Sequence, residues 1–356
     1  MIDRILLAPY YYFLKLRHWM YDNEIRKSTS ASVPTVCIGN ITVGGTGKTP
    51  HTEMMIRLLS EHPGYAGKNI AVLSRGYRRK SKGFLEVKAD GNAEMYGDEP
   101  LQIKRKFPSV TVAVDKSRVE GCRILTDPED SRTEKKADII ILDDAFQHRA
   151  LKPTVSIVLV DYSRPVFRDN LLPLGRLRDI RERMHAADIV IVTKCPPFLE
   201  SDEMDRWKEA LCIGGKDSGK KQSLFFTTIG YDGPKAVWDE GDHRYVHSKR
   251  MILFSGIAND RPLQKYLSGS YKTVSHLTFG DHHEFTGSDI HSIEKAARHF
   301  PTAVIITTEK DSQRLHDNPL VPKELKERMF YIPIRPEFIP EEGQKDFLSV
   351  LETFIG

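Results

Sequence analysis

The sequence predicts an α/β fold built on a doubly wound, mostly parallel sheet that helices cover on both faces. Short, continuously apolar runs rich in β-branched residues recur along the chain, and segments of helical or loop character separate them. These runs occupy 35–38, 70–73, 110–114, 139–142, 155–160, 189–192, 224–228, 251–254, 303–307 and 329–333. Because 356 residues correspond to roughly two domains, we expect a core domain followed by a smaller α/β portion.

The composition excludes several classes of protein. With 40% hydrophobic and 29% charged residues, the chain is neither wholly disordered nor fibrous. Its four cysteines form no CxxC pair, which argues against a zinc ribbon or a disulfide framework and favours a reducing compartment. A formal net charge of +4 is too small to favour nucleic acid as a partner.

The first element, residues 1–21, is more apolar and aromatic than the rest of the chain. Its longest run without a charge, 5–14, holds ten residues and includes Pro9, whereas a membrane-spanning helix needs about 20. Apolar side chains nevertheless recur at helical spacing, at Tyr12, Phe13, Leu16, Trp19 and Met20. Such an amphipathic helix can pack on its own domain, or it can lie in a membrane interface beside cationic residues such as Lys15 and Arg17.

The next element is a glycine-rich segment between a predicted strand, which ends near residue 38, and a predicted helix, which begins at Lys48. In this setting backbone N–H groups and a helix amino terminus bind phosphates. Lys48 would reach the β- and γ-phosphates of a nucleotide, and the Thr49 hydroxyl would bind Mg²⁺. Thr42 occupies the first glycine position of the usual GxxxxGK[ST] pattern. The candidate nucleotide-binding residues are Gly44, Gly45, Thr46, Gly47, Lys48, Thr49 and Pro50.

Two adjacent carboxylates follow the buried run at 139–142. An acidic residue at the end of a buried strand can hold Mg²⁺ beside a phosphate loop. Asp143 and Asp144 occupy this position. A lone aspartate there is usually a cap, but a pair that accompanies a phosphate loop favours a metal site.

Two further segments carry candidates for acid–base chemistry. Asp98 lies in the turn GDEP at 97–100, just before a predicted helix, where Glu99 could instead cap the helix. The segment FGDHHEF at 279–285 holds adjacent histidines, and one of them could tune the pKa of a carboxylate or simply lie on the surface. Arg75 and Arg178 lie on basic loops that could hold phosphate or form a solvated face.

Taken together, these segments resemble the tetraacyldisaccharide 4′-kinase family of lipid A biosynthesis. The motifs, in the family's order, are GN at 39–40, GGTGKTP at 44–50, SRGY at 74–77, GDEP at 97–100, DDAFQH at 143–148, LGRLR at 174–178, DHH at 281–283 and TEKD at 308–311. The apolar amino terminus also fits the family. The resemblance therefore covers nearly the whole chain.

The resemblance implies a P-loop kinase that transfers the γ-phosphate of ATP to the 4′-hydroxyl of an acylated glucosamine disaccharide 1-phosphate, with Mg²⁺. It implies a lipid-linked substrate and a monotopic, peripheral attachment to the cytoplasmic face of the inner membrane. The oligomeric state stays open. In this family Lys48 and Thr49 would serve the phosphates and Mg²⁺, and Asp143 with Asp144 would hold the metal.

The resemblance also assigns the remaining candidates. Asp98 resembles the base that orients the acceptor hydroxyl, and one histidine of the 281–283 motif supports it. We favour His283 over His282 for this role. Arg75 and Arg178 are the weaker candidates for holding a substrate or nucleotide phosphate.

Two alternative functions fit the phosphate loop alone. A nucleotide-driven switch or binding protein, such as a MinD-like ATPase or a metal-chaperone GTPase, has a similar loop. The MinD-like pattern places a lysine before the paired glycines, where this chain has Val43, and a metal chaperone has clustered cysteines or histidines. A soluble small-molecule kinase leaves the aromatic amino terminus without a role.

We expect the chain to divide into three parts. An interfacial amphipathic helix occupies 1–28, a P-loop kinase core 29–220, and a smaller carboxy-terminal α/β domain 221–356. The boundary between the last two lies in the polar, glycine-rich segment 213–248.

Overall fold

The computed structural model describes residues 2–213, 221–281 and 283–356. Two compact units form the chain: the first consists of Met1–Ile229 and Pro336–Gly356, and the second of Gly230–Arg335. This division differs from the predicted one, which assigned all of 221–356 to the smaller domain. The chain returns to the first unit at its end because Phe347 and Leu351 of the last helix are buried in that unit's core.

The strands form two sheets. The first sheet contains β1 (Thr35–Gly39), β2 (Ile70–Ser74), β3 (Leu85–Glu86), β4 (Thr111–Val114), β5 (Ile139–Asp143), β6 (Val155–Asp161), β7 (Ile189–Thr193), β8 (Ser223–Tyr231) and β14 (Ile334–Ile339). The second sheet contains β9 (Lys235–Ala236), β10 (Arg250–Ser255), β11 (Lys272–Thr278), β12 (Val304–Thr308) and β13 (Met329–Ile332).

Helices connect and flank these strands. The α-helices are α1 (Ile2–Asp22), α2 (Lys48–Glu61), α3 (Ala93–Tyr96), α4 (Asp98–Lys106), α5 (Arg118–Thr126), α6 (Ser201–Ala210), α7 (Arg261–Leu267), α8 (Gly287–His299), α9 (Glu309–His316), α10 (Lys323–Lys326) and α11 (Gly343–Ile355). Short 3-10 helices occur at Val166–Arg168, Arg181–Ala186 and His243–His247.

The first sheet has the strand order β14-β8-β7-β6-β1-β5-β2-β4-β3. Strands β1, β2 and β4 to β8 pair in parallel, whereas the short β3 pairs antiparallel with β4. The predicted α/β class with a mostly parallel sheet is therefore confirmed. Since parallel strands share a carboxyl edge, the segments that follow β1, β2, β5, β6 and β7 meet there, which is where ligands bind in open α/β sheets.

Helix α2 fixes the segment after β1 against this sheet. Its predicted apolar face, Met54, Met55, Leu58 and Leu59, is buried. These side chains share a cluster with β-branched residues of the strands, so hydrophobic burial holds the start of α2 close to the carboxyl end of β1. The prediction that this helix begins at Lys48 is confirmed.

Helix α1 has two different apolar faces. Leu14 is buried, and Leu7, Tyr10 and Tyr11 pack against the core of the first unit. On the other face four residues of the predicted stripe, Tyr12, Phe13, Leu16 and Trp19, have exposed fractions between 52% and 66%, whereas Met20 is half-buried. Within the described residues, no helix is both long and apolar enough to cross a membrane.

The second unit has its own sheet and core. Its strand order is β11-β10-β12-β13-β9, with β10 to β13 paired in parallel and β9 antiparallel to β13. Phe254, Ile293 and Ile305 are among the side chains that fill one side of this sheet. The sheet therefore has a carboxyl edge of its own, where β10 and β12 end.

Candidate active site

The loop after β1 has the backbone conformation that its glycines allow. The φ values of Gly44 and Gly47 are 98° and 87°. Residues with a side chain rarely adopt such positive φ values, whereas glycine adopts them readily. Gly47 is the N-cap residue of α2, so Lys48 begins the helix directly after the loop. The backbone N–H groups of this first turn have no partners inside the helix and can bind an anion.

Side chains from neighbouring elements hold three successive carbonyl groups of the loop. The Lys194 ammonium donates to the Gly45 carbonyl, and Thr193 Oγ1 donates to that of Thr46 over 3.0 Å. His51 Nδ1 lies 2.8 Å from the Gly47 carbonyl oxygen. Because the carbonyl groups are bound in this way, the loop keeps a fixed backbone conformation.

The contacts of His51 settle its protonation state. A carbonyl oxygen only accepts, so Nδ1 carries the proton, and burial lowers the pKa of the ring to about 4. Nε2 then accepts from the Thr227 hydroxyl, 3.1 Å away on β8. A neutral histidine thus joins the phosphate loop to the sheet.

Asp144 is the carboxylate that faces the basic residues. Lys48 Nζ lies 3.8 Å from Asp144 Oδ2, and both terminal nitrogens of the Arg178 guanidinium group donate to the same carboxylate. Burial acts to raise the pKa of Asp144, but the charges of Lys48 and Arg178 outweigh it and lower the pKa. Arg178 also binds Asn40, whose amide donates to Thr46 Oγ1 over 2.7 Å. The residue predicted for phosphate therefore contacts a predicted metal ligand.

Asp143 lies at the end of β5 in a different environment. It is 1% exposed and accepts from Thr52 Oγ1 over 3.1 Å and from Ser74 Oγ over 3.2 Å. Burial, followed by the charges of Glu99 and Asp144, raises its pKa from 3.8 to about 6. A buried carboxylate with neutral partners and a carboxylate neighbour is well placed for a cation.

Metal-ligand clusters are scarce in the described parts of the chain. There, no group of three or more histidine, cysteine, aspartate or glutamate side chains is arranged to hold a metal ion. Mg²⁺, however, is usually bound by one or two protein carboxylates together with phosphate oxygens and water. Asp143, Asp144 and the hydroxyl of Thr49, which is 5% exposed as a residue, fit that smaller donor set.

Asp98 begins helix α4 and is half-buried. The cap of this helix is Gly97, so Glu99 does not cap it as the alternative interpretation expected. The charge of Glu99 instead acts on Asp143, which places the first turn of α4 near the two carboxylates. Arg75 follows β2 and is exposed, and its positive charge acts on Arg118.

Sequence reasoning missed Arg118. This arginine begins α5 and is only 2% exposed, and it donates to the backbone carbonyls of Asp115 and Asp143 over 2.9 and 3.2 Å. Gln147, which also follows β5, donates to the Asn40 carbonyl over 2.6 Å. No local pattern distinguishes a buried arginine at a helix start from a solvated one, so only the fold identifies Arg118.

His283 belongs to the second unit. Its Nε2 lies 2.9 Å from Asp289 Oδ2, and its ring stacks on Phe279 with the centroids 5.0 Å apart. Asp289 is also the partner of Thr286 in the capping box of α8. The ring orientation of His283 is therefore fixed by a helix cap. His282, the less favoured candidate, lies outside the described residues.

These groups form an arrangement suited to phosphoryl transfer. A phosphate loop, a lysine at its end, two carboxylates at the end of the adjacent strand and a further carboxylate on α4 occupy the carboxyl edge of one sheet. Such a site can bind a nucleotide and a divalent cation and can orient a hydroxyl group for in-line attack.

Comparisons with known proteins agree with this site. A sequence model of the family tetraacyldisaccharide-1-P 4′-kinase matches residues 4–353. The tetraacyldisaccharide 4′-kinase of Phocaeicola vulgatus is 40% identical over 96% of this chain and 91% of the relative, and that of Parabacteroides distasonis is 37% identical over 98% and 94%. A crystal structure of LpxK from Aquifex aeolicus in complex with ATP matches with a TM-score of 0.73 and 25% identity over the full length of both chains. The chain thus belongs to the tetraacyldisaccharide 4′-kinase family.

Proposed function

We propose that the protein transfers the γ-phosphate of ATP to the 4′-hydroxyl of an acylated glucosamine disaccharide 1-phosphate at a membrane surface. Family membership supports the reaction class. The observation that carries the proposal is the meeting of Lys48 and Asp144 at 3.8 Å, directly beside the buried Asp143. A phosphate-binding lysine and a carboxylate pair for a cation are the parts that phosphoryl transfer requires.

The nucleotide would bind at 44–50. The N–H groups of the loop and of the first turn of α2 hold the β- and γ-phosphates, and Lys48 places its charge on them. Thr49, Asp143 and Asp144 would hold Mg²⁺, which when bound neutralises charge on the phosphate oxygens. Asp143 fits this role since only hydroxyl groups donate to its carboxylate among the described residues.

The acceptor would bind beside α4. Asp98 accepts the proton of the 4′-hydroxyl as the new O–P bond forms, and the bond to the ADP oxygen breaks. We assign the supporting role to His283, whose ring Asp289 already orients. Arg178 and Arg75 are the candidates for contacts with a phosphate of the acceptor or the nucleotide. Arg178 would do so while it remains paired with Asp144.

The lipid nature of the acceptor is supported by α1. The buried face of this helix reaches the segments that flank the site: the Tyr10 hydroxyl donates to the Arg178 carbonyl over 3.3 Å, and Arg17 donates to the Gln147 carbonyl over 2.8 Å. The exposed face presents Phe13 and Trp19 to the surroundings. An acceptor embedded in a bilayer would thus meet the site and an apolar helix face on the same unit.

Membrane attachment is accordingly proposed as peripheral, with α1 lying in the interface. We propose the cytoplasmic face of the inner membrane for this attachment, as the family resemblance implies. A soluble small-molecule kinase gains nothing from four large exposed apolar side chains on one helix face. A nucleotide-driven switch has no acceptor hydroxyl, so Asp98 would have no proton to accept.

The test of the reaction is direct. Full-length protein is incubated with ATP, Mg²⁺ and the acylated disaccharide 1-phosphate in detergent, and the lipid is examined by mass spectrometry. We expect a product heavier by one phosphate and a stoichiometric amount of ADP. ATP hydrolysis without a phosphorylated lipid would refute the proposed acceptor.

The test of membrane attachment compares two sets of exposed aromatics. Phe13→Ser with Trp19→Ser should weaken flotation with vesicles at least tenfold, because it removes two interfacial anchors, and should leave the affinity for ATP unchanged. Phe198→Ser is the matched control, since Phe198 is 94% exposed on a loop after β7. Equal flotation of wild type and the double variant would contradict the assignment of α1.

A further inference from the structure

A large cavity lies in the first unit beside the carboxyl-terminal half of α1. It has a volume of about 1050 Å³ and is bounded by α1, the segment after β5 and the 3-10 helix Arg181–Ala186. We call it the cationic cavity because its lining includes the basic side chains of Arg118, Arg149, Arg183, His148 and His185. Six lysine and arginine residues line it against four aspartate and glutamate residues.

The guanidinium groups in this cavity are unequally paired. Arg149 donates to Asp22 Oδ1 over 2.7 Å and to the His18 carbonyl over 3.1 Å. Arg183 lies over the ring of Phe146, 5.0 Å from its centroid, and its Nε is buried without a partner. Among the described residues no carboxylate lies within ion-pair distance of Arg183.

Two other buried nitrogens on the cavity wall lack partners. Arg118 binds only backbone carbonyl groups in the described part of the chain, and its Nε is unsatisfied. His185 Nδ1 is unsatisfied as well. Leaving buried donor nitrogens unpaired is unfavourable, and an anion in the cavity would relieve this. In agreement, burial and then the charge of Arg149 lower the pKa of Arg183 to about 10, against the opposing charges of Asp179 and Asp22.

The position of the cavity indicates where such an anion comes from. At one end, Arg118 donates to the backbone carbonyl of Asp143, so the cavity begins one side chain away from the carboxylate pair. At the other end, His18 and Tyr21 belong to α1, whose opposite face is apolar and exposed. The cavity thus extends from the candidate active site to the helix that we assign to the membrane.

We propose that the cationic cavity is a binding site for a phosphate group carried by a lipid, separate from the phosphate loop. Guanidinium groups bind phosphate oxygens in a bidentate manner, and the imidazoles add donors. Two sources share this chemistry: the phosphate already present on the acceptor, which rests on the proposed function, and the headgroup of an anionic phospholipid in the bilayer.

The experiment compares Arg183→Gln with Arg206→Gln, the same substitution at an exposed position of α6 outside the cavity. KM and kcat are measured for acylated disaccharide with and without its 1-phosphate. Flotation is measured with phosphatidylglycerol and phosphatidylcholine vesicles. Loss of one charged phosphate contact is expected to raise the KM of the phosphorylated acceptor by about 10- to 100-fold, with the KM of ATP and of the dephosphorylated acceptor unchanged. Arg206→Gln should change neither the KM of either acceptor nor the flotation with vesicles.

Each outcome decides between the sources or removes the site. An unchanged acceptor KM with a selective loss of phosphatidylglycerol binding identifies the bilayer phospholipid as the source. A KM that rises equally for both acceptors, or no change in either assay, overturns the proposal. If the wild type phosphorylates neither acceptor, the proposed function fails, and the vesicle assay alone decides the cavity. His185→Gln, checked by thermal unfolding, repeats the measurement in case Arg183→Gln does not fold.

Discussion

Asp143 and Asp311 are buried aspartates at the carboxyl edges of two parallel sheets, yet their surroundings differ. Asp311, in the first turn of α9 after β12, is 0% exposed and accepts from the Gly256 N–H over 2.8 Å, from Thr308 Oγ1 over 2.7 Å and from Arg314 over 3.1 Å. Within the described residues, Asp143 accepts from two hydroxyl groups only, and its carboxylate neighbour is Asp144. Asp311 forms a direct ion pair with an arginine, whereas the charge of Lys48 acts on Asp143 without an ion pair among the described residues.

This difference shows what distinguishes a site from a structural connection. In the second unit, a backbone N–H after β10 is bound by Asp311, and a nearby arginine supplies the positive charge. In the first unit, the turn after β1 is glycine-rich and precedes a 14-residue helix, so the N–H groups at the start of that helix can bind a ligand. A carboxyl edge alone therefore does not make a nucleotide site; a carboxylate without a direct ion pair beside a phosphate loop does.

Among the substitutions that test this comparison, Lys48→Ala should have the largest effect, a loss of turnover. It removes the positive charge beside Asp144 and from the nucleotide phosphates, and we expect turnover to fall by about a thousandfold or more. The measurement is kcat at saturating ATP. Lys265→Ala, at an exposed position of α7 in the second unit, is the control and should retain activity. Turnover of Lys48→Ala within tenfold of wild type would remove this lysine from the chemistry.

Asp143→Asn should lower kcat by about a hundredfold, because it removes a charged cation ligand, without loss of stability at neutral pH. The folded-state pKa of Asp143 is about 6, above its ordinary value of 3.8, so its charge opposes folding above pH 6 and this penalty disappears as the pH falls towards 3.8. The stability penalty from the ionised Asp143 is at most about 3 kcal/mol.

Urea unfolding between pH 5 and pH 8, without Mg²⁺, measures this difference. The free energy of unfolding of Asp143→Asn, relative to that of wild type, should increase with pH. A variant that is less stable than wild type at pH 8 and equally stable at pH 5 would show that the ionised carboxylate of Asp143 stabilises the fold.

Asp311→Asn should have the opposite consequences. Removing the charge weakens the contact with Arg314 and the hydrogen bonds from Gly256 and Thr308, and we expect the free energy of unfolding to fall by about 1.5–3 kcal/mol. The affinity of the folded protein for ATP should not change. Chemical denaturation and a nucleotide-binding titration on the same sample separate the two quantities. Unchanged stability would abolish the contrast between the two aspartates.

His51→Gln should have the smallest effect. The glutamine cannot hold both the Gly47 carbonyl and Thr227 in the same geometry, so the loop is less ordered, and we expect the KM of ATP to rise about five- to tenfold. Because the pKa of His51 is about 4, wild type should show no titration of this group between pH 5.5 and 8. A step in the ATP KM near pH 6.5 that the variant abolishes would contradict a neutral His51.

Much of the first unit could be predicted from local patterns. The apolar runs predicted seven of the nine strands of the first sheet, all but β3 and β14, and with them the position of Asp143 at a strand end. The glycine-rich segment predicted the start of α2 at Lys48. These features depend on neighbours along the chain, and the physical rules for them are local.

Other features depend on distant contacts. Arg118 is buried because α5 packs beside β2 and brings its first residue to the end of β5, which no pattern around residue 118 reveals. The return of the chain at Pro336 follows from the burial of α11 in the first unit. For α1, the spacing predicted the exposed stripe, but the packing of the opposite face through Leu14 and His18 required the fold.

The most direct test of the central claim is calorimetric titration of ATP at pH 7.5, with and without Mg²⁺, into wild type, Asp143→Asn and Asp311→Asn. We predict that Mg²⁺ strengthens ATP binding at least tenfold in wild type and in Asp311→Asn, and that this gain disappears in Asp143→Asn. A full Mg²⁺ effect in Asp143→Asn, or its loss in Asp311→Asn, would contradict the claim that the buried Asp143 carboxylate after β5 is a ligand of the cation.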